Sequence, residues 1–322
     1  MADGSDPTLQ QLGEFAVIDR LNAGRRWPAG VRVGPGDDAA VVDAPDGRIA
    51  VSTDMLVEGR HFRLDWSSPH AVGRKAIAQN AADIEAMGAR VSAFVVGFGA
   101  PTASSATQVA ELGDGMWAEA GLLGAAIVGG DLVASPQWVV AVTALGDLNG
   151  RDPVLRSGAR PGSVIAVAGE LGRSAAGLRL FSAGIDEFED LRQRHRVPRP
   201  PYGQGVVAAR AGAQAMTDVS DGLLADLGHI ATASGVTIDL DREALRADVD
   251  AVSAAAQAVD IDPWTLVLGG GEDHALVACF PDAPPPGWRV IGSVTASPVD
   301  GSGEVVLDGA HWSGPAGWQS FD

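Results

Sequence analysis

Apolar and polar positions alternate along the chain with two periods, and the alternation divides it into helix-like and strand-like runs. Gly13–Leu21 places Phe15, Ile18, and Val17 with Leu21 at helical spacing, which predicts a short helix. Ala39–Val42 and Arg48–Thr53 are apolar and β-branched, with Pro45 and Gly47 between them, so this stretch reads as a β-hairpin. Helical spacing returns over Ser68–Gly88, with Ser68 as N-cap, Pro69 in the first turn and Gly88 as the stop. A buried strand is expected at Val91–Gly97, a helix from about Ser105 to Leu123, and strands at Ala125–Val128 and Trp138–Leu145. Composition changes at Asp147–Pro153, read as a linker between domains at 1–149 and 150–322.

The second half repeats the alternation without a repeat of fixed period. Strands are expected at Ser163–Ala168, Val236–Leu240, His274–Phe280, Val290–Val294 and Glu304–Leu307. Helices are expected after Gly172 through Leu180, within the strand–turn–helix unit Ala215–Ile230, and near Arg242–Val259. Glu187–Gly205, charged and rich in Arg and Pro, reads as an exposed excursion. Alternating strands and helices predict an α/β architecture.

Charge narrows the partners. The 322 residues carry a net charge of −18, which argues against nucleic acid or an anionic membrane. Lys75 is the sole lysine and no Gly-x-x-x-x-Gly-Lys-Ser/Thr occurs, so a Walker-type phosphate loop is excluded. Cys279 lies in an apolar run and reads as a buried structural thiol. The acidic stretch Met1–Pro7 lacks the apolar core of a signal peptide, and no apolar run reaches membrane-spanning length, so a cytoplasmic chain is expected.

The candidate chemistry is acidic. In the hairpin register Asp38 and Asp54 face each other, either as half of a divalent-metal site or as an acidic turn on a solvated hairpin end. Asn80 and Asp83 share one helix face, either held near apolar surroundings or as a surface pair. Asp131 follows Gly129 and Gly130 just past a strand's carboxyl end, where ligands meet α/β sheets. Asp218, Ser220 and Asp221 sit at a strand-to-helix junction, where Asp221 has the alternative reading of a cap. Gly269-Gly-Gly-Glu-Asp273 implies a backbone passing close to something bound. Hard oxygen ligands of this kind suit Mg²⁺, with substrate phosphates completing its shell. The six histidines show no zinc-like spacing, and no Gly-x-Ser-x-Gly elbow is present.

Seven segments in order, spanning nearly the whole chain, carry a resemblance. They are Gly36-Asp-Asp-Ala-Ala40, Ser52-Thr-Asp-Met-Leu-Val-Glu-Gly-Arg-His-Phe62, Asn80-x-x-Asp-Ile-x-Ala-Met-Gly-Ala89, Gly129-Gly-Asp131, Arg156-Ser-Gly-Ala159, Asp218-Val-Ser-Asp-Gly-Leu223 and Gly270-Gly-Glu-Asp273. Together they resemble the thiamine-monophosphate kinase family. The resemblance implies a two-domain α/β (α+β) fold of the aminoimidazole-ribotide synthetase superfamily. Its N-terminal domain, a mixed sheet with flanking helices, would bind ATP and metal and form a homodimer through the sheets. Its C-terminal α/β domain would complete the active site.

The implied reaction is direct in-line phosphoryl transfer from ATP to thiamine monophosphate, giving thiamine diphosphate, with several Mg²⁺ ions and no general base. By resemblance, Asp38, Ser52, Thr53, Asp54, Asp83, Asp131, Asp218 and Asp221 are metal ligands, with Asp54, Asp131 and Asp218 the most important. Gly130, Asp131, Arg156 and Ser220 are ATP contacts; His61, Glu272 and Trp318 are substrate contacts. Two positions depart from the family pattern: Leu132 stands where Thr is expected, and His274 where an aromatic residue is expected. The alternatives are another ATP-dependent enzyme of the superfamily, or a non-catalytic nucleotide or metal sensor.

Overall fold

The computed structural model describes residues 6–35, 39–297 and 302–318, and the chain divides into two compact units. The first takes in the chain up to Ile84 together with Val91–Asn149; the second takes Glu85–Arg90 and everything from Gly150 onward. No helix among the described residues is long and apolar enough to cross a membrane.

The first unit runs α1 (Leu9–Leu12), α2 (Glu14–Asn22), β1 (Val31–Val33), β2 (Val41–Val42), β3 (Ala50–Val57), α3 (Pro69–Ala86), β4 (Arg90–Ala100), α4 (Ala106–Leu122), β5 (Ala126–Ala134) and β6 (Val139–Asp147). Four strands form a mixed sheet in the order β3-β6-β4-β5. β4 and β5 are parallel, as a crossover through α4 requires, whereas β3 and β6 are antiparallel. The expected hairpin is not formed. β2 pairs with β1, and β3 pairs along its whole length with β6, from Ala50↔Gly146 to Val57↔Val139. Asp54 therefore lies opposite Val142, and Asp38 falls outside the described residues.

Alternation along β3 separates its side chains. Ser52, Asp54 and Leu56 face α3, and Val51, Thr53 and Met55 face the other way. At one end of that outer face Trp27, Val31 and Val42 pack on Ala93, Ala126, Val128 and Leu145. α3 starts at the expected cap, where Ser68 Oγ accepts from Ala71 N–H, and it ends before Gly88 at φ +70°.

The second unit continues with β7 (Val164–Ala168), α5 (Arg173–Ala183), α6 (Glu189–Arg196), α7 (Gln204–Arg210), β8 (Ala215–Asp218), α8 (Leu223–Ser234), β9 (Val236–Leu240), α9 (Arg246–Ala258), α10 (Pro263–Gly269), β10 (Leu276–Phe280), β11 (Arg289–Ala296) and β12 (Glu304–Leu307). Its six strands take the order β12-β9-β11-β7-β10-β8. The central strands β7 and β10 are buried almost throughout and read as continuous apolar runs. Cys279 is among them, and burial pushes its thiol up to about 12, which keeps it protonated and inert.

The segment expected to be an exposed excursion is a packed helix. α6 buries Leu191 and His195, and Val197 and Pro198 beyond it are buried too. Its charges misled because they are used: Arg194 binds Glu170 at 2.6 Å, and Arg192 and Arg196 stack over the Phe181 ring at 4.6 and 4.9 Å. Further on, the buried Glu85 carboxylate caps the start of α7, accepting from Gly203 and Gly205 N–H at 2.9 and 3.0 Å.

Candidate functional site

In the first unit, the α3-facing side of β3 gathers oxygen ligands. Ser52 Oγ donates to Asp83 Oδ2 at 2.6 Å, and Asp54 N–H donates to Asn80 Oδ1 at 3.0 Å. Gln79 Nε2 lies 3.4 Å from Asp54 Oδ2, and Asn80, itself buried, anchors its amide on the Ala76 carbonyl. Ser52 and Asp54 sit two residues apart on one strand face, and Asn80 and Asp83 three apart on one helix face, so the two periodicities bring four polar side chains together. Partial burial leaves Ser52, Asp54 and Asp83 accessible.

Two expected ligands are not brought there. Thr53 points to the opposite face, where its Oγ1 donates to the Val142 carbonyl at 3.0 Å. Asp131 lies within β5, which runs on through Gly129 and Gly130 to Ala134; it is not just past a strand end. It pairs with Gly97 on the outer face, in a groove of about 350 Å³ that Gly99, Val133, Val139 and Ala141 help to line. Gly130 is required by packing, since a Cβ there would lie 1.9 Å from the Val96 carbonyl. His61 accepts from Val57 N–H at 3.0 Å, a local turn. Lys75, 2% exposed, donates to the His61 carbonyl at 2.9 Å, so the sole lysine is spent on backbone.

In the second unit, five expected residues meet at the end of β8. Glu272 N–H donates to the Ser220 carbonyl at 2.7 Å, and Trp318 N–H donates to the Asp221 carbonyl at 2.9 Å. Asp218, the last residue of β8, is buried and bonds His274 Nδ1 at 3.0 Å. The glycines of 269–271 serve close approach of the chain to itself. Added Cβ atoms would meet the carbonyls of Pro315, Leu266 and Ser220 at 2.4, 2.1 and 2.5 Å. Trp318 is 57% exposed, so its ring does not cover the core. Arg156 is exposed on a loop whose backbone Ser234 caps.

Two residues with roles here, Asp226 and His195, gave no local signal, and a third, Asp273, stood in the sequence only as part of the acidic pair after the glycines. Asp226, buried, accepts from Asp221 and Gly222 N–H at 3.0 Å each and so shapes the turn that carries Ser220 and Asp221. Burial, then the negative charge of Asp218, push its carboxyl up to about 7. His195 brings Nδ1 to 3.4 Å from Glu272 Oε2 and 3.3 Å from Ser174 Oγ. Asp273 caps α5, accepting from Gly172 and Ser174 N–H at 2.5 and 2.8 Å.

Burial pushes the Asp273 carboxyl up to about 7, against those two hydrogen bonds. Between about pH 4 and 7 the folded chain then holds a proton that the unfolded chain has released. Its stabilising contribution is complete at acid pH and is lost as pH rises through 7. The melting temperature of the wild type is expected to fall more steeply from about pH 5 to pH 8 than that of Asp273→Asn. Parallel calorimetric profiles would show an Asp273 already ionised at acid pH.

Among the described residues no three His, Cys, Asp or Glu side chains lie close enough to cage a metal by themselves. The donor set of carboxylates, a hydroxyl and an amide oxygen nevertheless fits a hard cation that takes one or two carboxylates and leaves room for phosphate oxygens.

The chain matches the family models described as AIR synthase related protein, N-terminal domain, over residues 36–148, and AIR synthase related protein, C-terminal domain, over residues 160–301. It is 69% identical over 315 residues to the thiamine-monophosphate kinase of Mycobacterium tuberculosis, covering 98% of this chain and 93% of that one. The thiamine-monophosphate kinase of Corynebacterium glutamicum is 44% identical over 324 residues, with 98% and 95% covered. Among solved structures, that of thiamine-monophosphate kinase from Stenotrophomonas maltophilia K279a superposes with a TM-score of 0.76 at 31% identity, covering 92% of this chain and 97% of that one. AaThiL complexed with AMPPCP and TMP gives a TM-score of 0.75 at 29% identity, with 99% and 100% covered.

Proposed function

We propose, from the premise that the chain belongs to the thiamine-monophosphate kinase family of AIR synthase related proteins, a direct in-line transfer of the ATP γ-phosphoryl group to thiamine monophosphate, dependent on Mg²⁺. The observation that carries the magnesium dependence is the state of Lys75. In a chain of net charge −18, with 23 Lys and Arg against 41 Asp and Glu, the one lysine is buried on a backbone carbonyl, so most of the neutralisation of two polyanionic substrates falls to cations from solution.

Ser52, Asp54 and Asp83 are the oxygens that would hold Mg²⁺ in the first unit; Asp218 and Asp221 are those in the second. Bound Mg²⁺ supplies charge neutralisation and alignment of the phosphates. Arg156, always charged and exposed, contacts an ATP phosphate, and Ser220 offers its hydroxyl to the nucleotide. Gly130 and Asp131 are read as ATP contacts by family resemblance alone, since Asp131 lines the outer-face groove on the side of the sheet away from Ser52, Asp54 and Asp83. No side chain is assigned as a base. The acceptor is a phosphate monoester with a second pKa of about 6, largely dianionic at neutral pH, and is nucleophilic without one.

The substrate's cationic aromatic rings suit the exposed Trp318 by stacking and Glu272 by charge, with His61 as a further contact. Trp318→Ala is expected to raise the KM for thiamine monophosphate by about tenfold and leave that for ATP nearly unchanged. An unchanged substrate KM would return the ring to a structural role.

A homodimer through the N-terminal sheet is part of the same reading. The outer face leaves Val51 and Met55 62% and 53% exposed beside Val95 and Val133, an apolar surface fit for a second copy. With ATP as co-substrate, the site of action proposed is the cytoplasm. Incubation with ATP, thiamine monophosphate and Mg²⁺, read by chromatography, tests the reaction: thiamine diphosphate and ADP are expected in equal amounts. ATP consumed without thiamine diphosphate would assign another substrate of the superfamily. ATP bound but unconsumed would leave a sensor.

A further inference from the structure

His274 follows the acidic pair Glu272 and Asp273, and its surroundings give it a use. The residue takes a left-handed backbone at φ +53°, held by its N–H to the Val219 carbonyl at 2.8 Å. That backbone, two residues before Leu276 pairs with Asp218, turns the imidazole onto the end of β8. Nδ1 lies 3.0 Å from Asp218 Oδ2, with His274 4% and Asp218 3% exposed. A phenyl or phenol ring in the same place offers no donor at the Nδ1 position.

We propose that His274 is a positioning residue for Asp218, its Nδ1–H fixing Oδ2 so that Oδ1 is presented in one orientation to a divalent cation. The inference rests on the reading of Asp218 as a metal ligand. A carboxylate at a strand end otherwise has two rotatable bonds and several orientations; a buried donor selects one before the cation arrives. Partners behind a metal ligand contribute to affinity in this way, and removing one typically costs 10–100-fold.

The test measures Mn²⁺ affinity by electron paramagnetic resonance in the AMPPCP-saturated protein, alongside the Mg²⁺ concentration for half-maximal activity. His274→Phe is expected to weaken Mn²⁺ binding about tenfold or more. His274→Asn keeps a donor where Nδ1 stood and tolerates the left-handed backbone, so it is expected to stay close to wild type. Asp218→Asn separates the two levels of the claim. If it loses affinity while His274→Phe does not, Asp218 is a ligand and the positioning role is overturned alone. If Asp218→Asn keeps wild-type affinity, the ligand reading falls and this inference with it.

Should His274→Phe fail to fold, ¹⁵N-histidine spectra of the wild type decide, with His274→Asn identifying the resonance. A His274 Nδ1 signal that shifts when Mg²⁺ and AMPPCP are added supports the role, and an unmoved one overturns it.

Discussion

Asp54→Asn is expected to lower kcat by about a hundredfold or more while nucleotide affinity changes little. The substitution keeps the volume and the backbone N–H bond to Asn80 but replaces a charged oxygen beside Ser52 and Asp83 by a neutral amide. A cation that only binds ATP is retained by the remaining oxygens. A cation that must sit between donor and acceptor phosphates loses the charge that places it there, so the loss falls on turnover. Steady-state kinetics with equilibrium AMPPCP binding separates the two. A kcat equal to wild type at saturating Mg²⁺ would remove Asp54 from the metal site.

Gly115→Ala and Gly73→Ala are expected to cause the largest losses of stability, about 3 kcal/mol or more each. α3 and α4 touch backbone to backbone. A Cβ at Gly73 would lie 2.0 Å from the Leu112 carbonyl, and one at Gly115 2.0 Å from that of His70. No rotamer change relieves contact with a carbonyl, so the helices must part along their length. α3 also carries Asn80 and Asp83, so activity should fall with stability. Thermal unfolding reads the effect, expected as roughly 6–12 °C at about 2–4 °C per kcal/mol. A melting temperature within about 1 °C of wild type would mean that the crossing is looser than described.

These glycines show what the sequence conceals. A helical glycine ordinarily reads as a weakness of about 1 kcal/mol; only the partner helix shows it to be a contact. Local signals were legible: β9 and β12 fall where alternation put them, and Ser68 caps α3. Pairing was not legible. A turn between two apolar runs proposes a hairpin, yet β3 finds a longer partner in β6, some 90 residues away, and β2 goes to β1. The same difficulty placed Asp131 past a strand end, because Gly129 and Gly130 look like a stop when only the neighbouring Val96 carbonyl explains Gly130. α10 was missed although Asp262 and Pro263 form an ordinary helix start.

The candidate site divided along the same line. The motif residues Asp218, Ser220, Asp221, Glu272 and Trp318 do meet, because backbone hydrogen bonds between segments distant in sequence bring Glu272 to Ser220 and Trp318 to Asp221. Thr53 does not join Ser52 and Asp54, for the elementary reason that neighbours in a strand face opposite ways. The contributions of Asp226, His195 and His274 depend on what each reaches in space, which no spacing in the chain announces.

Thiamine diphosphate formation followed against Mg²⁺ concentration, at fixed ATP and thiamine monophosphate, tests most directly whether magnesium does the work that lysine does elsewhere. No product is expected in excess chelator, with the rate climbing further once Mg²⁺ exceeds the amount that ATP alone binds. Full-rate product formation with every divalent cation chelated would contradict it, and would require the side chains themselves to gather the phosphates.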